Sequence, residues 1–227
     1  MDLTNFKNKL EVPPSGRSIS YIKQYNEFWA RKLHIEQENN HHILDTNHVK
    51  DTCVQLMKIL PRWQTYRGGK CNYEKNLPLA ITSISHAYND IRRFSLLEFE
   101  QIPDDSLRFM WENLGTVKEK QCLQRPNLNY FVIAVCKPLM FIWGQTLAFD
   151  SINRINIRND RSLQLTESPQ RSSRWSFSQW KTIMRDFQSE LLQSPKVIDY
   201  CRSQSLQTFG TDFIVPYGRY LDLYYYY

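Results

Sequence analysis

A lysine embedded in an apolar run is the residue best suited to chemistry in this 227-residue chain. Lys137 lies within FVIAVCKPLMFIW, and Asp150 follows it in LAFDS. Burying a lysine as a cation is costly, so proteins lower its pKa or place an anion beside it. A desolvated lysine is an amine nucleophile that forms Schiff bases. Asp150 would be its anionic partner or would stabilise a sugar cation as a glycosidic bond breaks.

Two structural interpretations of this pair stand beside the catalytic one. Lys137 and Asp150 can form a structural ion pair, or the lysine can extend its aliphatic stem and reach water. Pro138 adds a constraint, because the residue before a proline avoids helical geometry. Lys137 is therefore expected at a helix boundary rather than inside a helix.

The elements that must position this pair are predicted to be helices. Apolar residues recur at intervals of three and four, which is typical of amphipathic helices. The predicted helices cover residues 19–33, 49–60, 79–94 and 103–114, the last capped by Gly115, and a further helix starts after Ser176. Residues 129–143 are apolar almost all round, which indicates a buried central segment. The sequence thus predicts a mainly α, single-core domain with little strand.

The two ends of the chain differ in composition from this helical part. Residues 1–17 contain Pro13-Pro14-Ser15-Gly16 and are predicted to be a mobile lead-in, so the helical domain covers residues 18–227. Residues 213–227 end in a run of tyrosines and are predicted to be a short strand or a packed extended arm. An ion pair between Arg219 and Asp222 would anchor this tail to the core.

The charge balance favours a polyanionic partner. Lys and Arg number 29 against 23 Asp and Glu, which gives a net charge of +6. Nucleic acid is favoured over a membrane surface through counterion release, and the alternative is a basic protein with no such partner. Only 7 glycines are present, which argues against folds built on glycine-rich nucleotide loops.

Cysteine and histidine usage argues against a disulfide framework and a metal site. The five cysteines are odd in number and scattered, with no C-x-x-C pair. The histidines lack a pair four residues apart with an intervening glutamate, so neither a metal nor another cofactor is expected. No segment has the composition of a signal peptide or a membrane span, so the predicted location is cytoplasmic.

Basic and aromatic residues in two segments are candidates for nucleic-acid contact, the alternative being a solvated basic face. The loop around residues 62–70 combines aromatic side chains that could wedge into a base stack with cations for phosphates. The candidates in this loop are Trp63, Tyr66, Arg67 and Lys70, and those following Asp150 are Arg154, Arg158, Arg161, Arg171 and Arg174.

The segment CKPLMFIWGQTLAFDSINR, residues 136–154, resembles helical proteins related to the helix-hairpin-helix DNA glycosylases. The resemblance implies that Lys137 and Asp150 match the glycosylase lysine and aspartate. It further implies that the protein removes a damaged or modified base from DNA, with the arginines holding the distorted strand. The glycine-rich hairpin of those enzymes is absent, because Tyr130 to Cys136 contains no glycine.

Two other functions remain open at this stage. One is a non-catalytic nucleic-acid-binding module, DNA being favoured over RNA. The other is an interaction or regulatory protein that docks a protein partner through an exposed tyrosine-rich C-terminal tail.

Overall fold

The computed structural model describes residues 1–11, 16–37, 41–66, 72–119, 129–167, 169 and 172–227. Within these residues the chain forms eleven α-helices, one 3₁₀-helix and two short strands, which confirms a mainly α domain with little strand. The helices are α1 (Leu3–Leu10), α2 (Gly16–Glu36), α3 (Val49–Ile59), α4 (Tyr73–Ser83), α5 (Ser85–Ile91), the 3₁₀-helix (Leu96–Gln101), α6 (Asp104–Thr116), α7 (Val132–Ile142), α8 (Ser151–Asn159), α9 (Phe177–Leu192), α10 (Pro195–Phe209) and α11 (Tyr217–Tyr226). The strands β1 (Tyr130–Phe131) and β2 (Arg174–Trp175) pair antiparallel.

Helix α7 lies at the centre, as the apolar composition of residues 129–143 predicts. All of its side chains except Ile133 are buried. It packs against α2 and α6 and directly follows β1. Because exposing apolar surface to water is unfavourable, a helix that is apolar on every side is stable only when it is covered by neighbouring elements.

The expected helix boundary at Lys137 is wrong. Lys137 and Pro138 both lie inside α7. A proline in a helix interior typically costs about 3 kcal/mol. Burial of the entire helix outweighs this local cost, since each large apolar side chain removed from water contributes about 1.5–3 kcal/mol.

Several other predicted elements are confirmed and two are corrected. Helices at residues 19–33 and 49–60 are present as α2 and α3, and Ser176 caps α9 through a capping box with Gln179. The predicted single helix over residues 79–94 is instead α4 and α5, separated at Ile84. Gly115 does not cap α6 but is buried within it. A Cβ there would lie 2.3 Å from Cγ of Tyr130, so the glycine lets β1 approach α6.

Both ends of the chain pack onto the core as helices. Residues 3–10 of the predicted lead-in form α1, whose Phe6 is fully buried, while residues 12–15 lie outside the described residues. The tail is the helix α11 rather than a strand or an extended arm. Its buried tyrosines recur at helical spacing, and this periodicity outweighs the strand preference of tyrosine.

The expected exposed tyrosine tail is wrong for Tyr224 and Tyr225, which are buried. The cysteines that the structure describes, Cys53, Cys136 and Cys201, are unpaired and buried. Among the described helices, none combines the length and apolar character that crossing a lipid bilayer requires.

Candidate active site

Lys137 and Asp150 line the same cavity, which has a volume of about 520 Å³. This volume falls in the ~300–1,000 Å³ range of small-molecule sites. Helices α7, α8 and α11 contribute to its walls, together with the start of α2 and the residues after α3.

Lys137 is the most enclosed cation of this cavity, with 5% of its surface exposed. Its Nζ donates a hydrogen bond to the backbone carbonyl of Trp63. Burial lowers the pKa of Lys137 from its ordinary value, while the carboxylates of Asp150 and Asp222 act in the opposite direction. A larger share of neutral amine at a given pH makes Lys137 a better nucleophile than an exposed lysine.

Asp150 has a structural role at the start of α8 and still faces the cavity. Its Oδ1 accepts hydrogen bonds from the backbone N–H groups of Ile152 at 3.0 Å and Asn153 at 3.1 Å. The residue is therefore the N-cap of α8, where a carboxylate also interacts favourably with the helix dipole. These contacts fix the position of the carboxylate relative to Lys137.

No ion pair joins Lys137 to Asp150 in the part of the chain that the structure describes. The structural ion pair expected as an alternative is therefore not formed. The lysine stem does not carry its ammonium group into bulk water either, because Nζ is held by a buried carbonyl. Two opposite charges face one cavity without contact, an arrangement that leaves space for a substrate between them.

Two non-glycine residues at the cavity have left-handed backbone conformations. Phe149 has φ 50° and Gln64 has φ 59°. Phe149 directly precedes Asp150, and its ring packs 5.0 Å from Trp175. Gln64 directly follows the carbonyl that accepts from Lys137. Such conformations typically cost about 1–3 kcal/mol and persist where surrounding packing imposes them, so both sides of the site are held by the fold.

A buried ion pair on α11 forms another part of the cavity wall. Arg219 Nη1 donates to Asp222 Oδ2 at 2.7 Å, and Asp222 Oδ1 accepts from the backbone N–H of Ala148 at 2.9 Å. This confirms the predicted anchoring pair and also places it beside Lys137. Burial raises the pKa of Asp222, which Arg219 and the Ala148 hydrogen bond partly oppose.

The wall around Trp63 brings aromatic rings and cations together. The guanidinium of Arg219 lies 5.2 Å and the Nζ of Lys137 lies 5.9 Å from the centre of the Trp63 ring. At the other side, Lys118 and Arg174 lie 4.5 Å and 4.1 Å from the centre of Phe131. Such flat faces can stack on a planar ligand, and the flanking cations favour a ligand with negative charge.

Only some of the predicted arginines lie at the cavity. Arg154 lines the cavity, and its Nη1 donates to the carbonyl of Ser172. Arg174 borders the cavity through Phe131 and pairs with Glu119 at 2.9 Å. Arg158 is half-buried on α8, and Arg161 is exposed beyond the end of that helix.

The predicted aromatic loop differs from a DNA wedge. Trp63 and Tyr66 are 7% and 6% exposed, so neither projects from the surface as a wedge would. Trp63 instead forms a cavity wall, and Tyr66 stacks on Tyr73 at 5.1 Å. Arg67, Lys70 and Arg171 lie outside the described residues.

Sequence analysis missed several residues that line the cavity. Lys118, Phe131 and Tyr226 were not candidates, and Arg219 and Asp222 were assigned a purely anchoring role. The available signal for Arg219 and Asp222 was the presence of two opposite charges within a tyrosine-rich segment, because buried charges often mark functional sites. The described lining contains neither histidine nor cysteine, so its donor set does not favour a metal.

Comparison with protein-family models found no match for the chain, and neither did comparison with curated proteins or with solved structures. The resemblance of residues 136–154 to helix-hairpin-helix glycosylases therefore stays a prediction.

Proposed function

We propose that this protein acts on DNA and cleaves the bond between a damaged or modified base and its deoxyribose. The observation that carries the proposal is the buried amine of Lys137 facing Asp150 across a cavity with aromatic walls. The base would leave the DNA stack and enter this cavity, as in enzymes that act on single bases.

Lys137 supplies the nucleophile in this proposal. Its neutral amine attacks C1′ of the deoxyribose, so that an Nζ–C1′ bond forms as the C1′–N bond breaks. The bonding electrons leave with the base, which takes up a proton. The adduct loses a proton from nitrogen. The nitrogen lone pair then forms the C1′=N bond of a protonated Schiff base as the C1′–O4′ bond of the sugar ring breaks, and O4′ takes up a proton. Water then releases the lysine and an abasic site.

Asp150 stabilises positive charge on the sugar as the glycosidic bond breaks. Its side chain is held by two backbone N–H groups at the start of α8. A fixed carboxylate needs little reorganisation during the reaction, which is the basis of electrostatic catalysis. Asp150 therefore complements Lys137 without sharing its proton.

The charge of the lining supports a DNA substrate. Among the described lining residues other than the reacting amine of Lys137, Lys118, Arg154 and Arg219 are cationic, against two carboxylates, Asp150 and Asp222. Lys118 and Arg154 are half-buried. They are the lining cations best placed to meet phosphates on either side of an extruded nucleotide.

Borohydride trapping on a panel of duplexes with modified bases tests the proposal. Borohydride reduces the Schiff base and leaves a stable protein–DNA adduct that migrates separately on a denaturing gel. We expect an adduct and base release with at least one modified base, and neither with Lys137→Met. Asp150→Asn should release base far more slowly. Lys196→Met is the control, because Lys196 is exposed on α10 outside the cavity lining and its loss should keep the trapped adduct.

Three outcomes would contradict the proposal. They are intact DNA across the whole panel, full activity in Asp150→Asn, and an adduct that survives Lys137→Met. A non-catalytic nucleic-acid module would instead bind DNA with a strong salt dependence and leave every duplex intact. In that case Arg154→Ala would weaken binding, whereas Asp150→Asn would change nothing.

A further inference from the structure

Two histidines and an aspartate meet in the connection between α2 and α3, away from the cavity described above. His41, Asp45 and His48 each offer one ligand atom, and these atoms lie within 4.8 Å of one another. His48 Nδ1 lies 2.8 Å from Asp45 Oδ1, and His41 Nδ1 lies 3.3 Å from Asp45 Oδ2.

We propose that His41, Asp45 and His48 form a binding site for a divalent transition-metal ion, with Zn²⁺ as the fitting ion. Imidazole nitrogen and carboxylate oxygen are ordinary zinc ligands, bound at ~2.0–2.2 Å. Tetrahedral coordination at that length separates neighbouring ligand atoms by about 3.3 Å. The two histidine–aspartate contacts, at 2.8 Å and 3.3 Å, are already within about 0.5 Å of that spacing.

The backbone around these ligands is held from several sides. Arg92 donates to the carbonyl of His41, and Thr52 donates to the carbonyl of Ile43 at 2.7 Å. The carbonyl of Asp45 accepts from the N–H groups of His48 and Val49 at the start of α3. A ligand set on a fixed backbone loses less conformational entropy on binding an ion.

The hydrogen bonds of Asp45 provide the outer shell that metal ligands need. Its Oδ1 accepts from the backbone N–H groups of Asn47 and His48, and its Oδ2 accepts from that of His42. These donors orient the carboxylate and remain in place when an ion binds. Outer-shell donors of this kind typically change metal affinity by about 10–100-fold.

Metal binding exchanges the two imidazole–carboxylate contacts for metal bonds. Without metal, each Nδ1–H donates to an oxygen of Asp45. On metal binding this proton exchanges through solvent to Nε2, so that the lone pair of Nδ1 points to the ion. Side-chain exposure of 42% for His41 and 29% for His48 leaves a path for the ion and a coordination position for water. The ion would link the beginning of the connection at His41 to its end at His48, the N-cap of α3.

Isothermal titration of the metal-free full chain with Zn²⁺ tests this site, using protein without a histidine tag. We expect one equivalent of Zn²⁺ to bind, Mg²⁺ to give no heat, and Co²⁺ to show the intense visible bands of four-coordinate cobalt. His41→Gln and His48→Gln should each weaken Zn²⁺ binding by more than about tenfold. His86→Gln is the matched control, because His86 is 94% exposed and lies outside the cluster.

Absence of Zn²⁺ binding to the wild-type chain would overturn the site. So would an affinity that is unchanged in both His41→Gln and His48→Gln, since the metal would then be bound elsewhere, for example by thiols. Circular dichroism of each metal-free variant checks that the fold is kept. If His48→Gln does not fold, the more exposed His41→Gln decides the outcome alone.

Discussion

Two buried lysines on neighbouring helices have opposite surroundings. Lys32 of α2 is fully buried, and its Nζ lies 2.7 Å from Oε2 of Glu36 and 4.4 Å from the centre of the Trp29 ring. Lys137 of α7 is almost as buried but donates to a backbone carbonyl and faces a cavity. The same type of side chain thus forms an ion pair at one site and only a hydrogen bond to a carbonyl at the other.

The difference shows that burial alone does not prepare a lysine for chemistry. Glu36 uses its second oxygen to accept from Tyr88 at 2.6 Å, so the Lys32 pair is closed by further hydrogen bonds. Around Lys137 the nearby carboxylates are committed elsewhere, Asp222 to Arg219 and Asp150 to the start of α8. We infer that Lys137 stays available to a substrate because both neighbouring carboxylates already have other partners.

The largest expected effect is a difference in unfolding free energy between Lys32→Met and Lys137→Met. Lys32→Met leaves Glu36 as an unpaired buried carboxylate, which typically costs about 3–5 kcal/mol of unfolding free energy. Lys137→Met leaves only the backbone carbonyl of Trp63 without its donor, so its cost should be about 1–3 kcal/mol. Urea denaturation of both variants measures the difference, and equal losses would remove the contrast.

The next effect would make the Lys137 site resemble that of Lys32. Arg219→Met frees the buried carboxylate of Asp222, and Lys137 becomes its nearest partner. Because Arg219 lowers and Asp222 raises the pKa of Lys137, this pKa should rise. The substitution should lower the unfolding free energy by less than the ~3–5 kcal/mol usual for a broken buried pair, since Lys137 replaces Arg219 in part.

Carbon-13 NMR of reductively dimethylated protein follows the pKa of Lys137 in that variant, with the resonance assigned by its loss in Lys137→Met. Arg219→Lys is the control, because it keeps a positive charge beside Asp222 and should move the pKa less. A pKa that falls in Arg219→Met would contradict the assigned roles of the neighbours.

A smaller effect concerns the close approach of α11 that builds the pocket wall. A Cβ on Gly218 would lie 2.2 Å from the backbone nitrogen of Thr146. Gly218→Ala should therefore displace α11 and cost about 1–3 kcal/mol. At ~2–4 °C per kcal/mol for a chain of this size, calorimetry resolves the change.

Gly210→Ala separates this steric effect from ordinary backbone strain. Gly210 has φ 72° but no atom within 4 Å of the added Cβ. It should lower stability without changing the pKa of Lys137, whereas Gly218→Ala should change both. An unaltered Lys137 in Gly218→Ala would show that α11 does not control the site.

The smallest effect is a pH dependence of stability. The folded pKa of Lys137 is lowered below its ordinary value of 10.5, so the unfolded chain binds more protons between those two pKa values. Unfolding free energy of the wild type, relative to Lys137→Met, should therefore rise with pH across that window. Each tenfold decrease in the proton affinity of Lys137 on folding gives a rise of about 1.4 kcal/mol in unfolding free energy across the window. Denaturation at neutral and alkaline pH measures it, and a decrease would contradict the sign.

The part of the cavity wall formed by α7 and Asp150 could be predicted from the sequence because its signals are local. The apolar composition of α7, the lysine within it and Asp150 shortly downstream all lie in one short segment. Helices α2, α3 and α9 follow from apolar spacing and a capping box. Such features depend on neighbours within a few turns of the chain.

The part of the cavity wall formed by α11 could not be predicted because it depends on tertiary packing. Nothing near Arg219 and Asp222 in the sequence indicates that α11 lies beside Lys137. The role of Gly115 requires knowledge that Tyr130 lies against it. Likewise, His41 and His48 stand four and three residues from Asp45, but turns of a connection, not a regular helix, bring them together.

Packing of α11 against α1 links the cavity to a distant part of the sequence. Tyr224 stacks on Phe6 at 5.0 Å, and Tyr224 belongs to the helix that also carries Arg219 and Asp222. Contacts between residues so far apart in sequence cost loop-closure entropy and slow folding. Enclosure of Lys137 is therefore coupled to long-range docking of helices rather than to local helix formation.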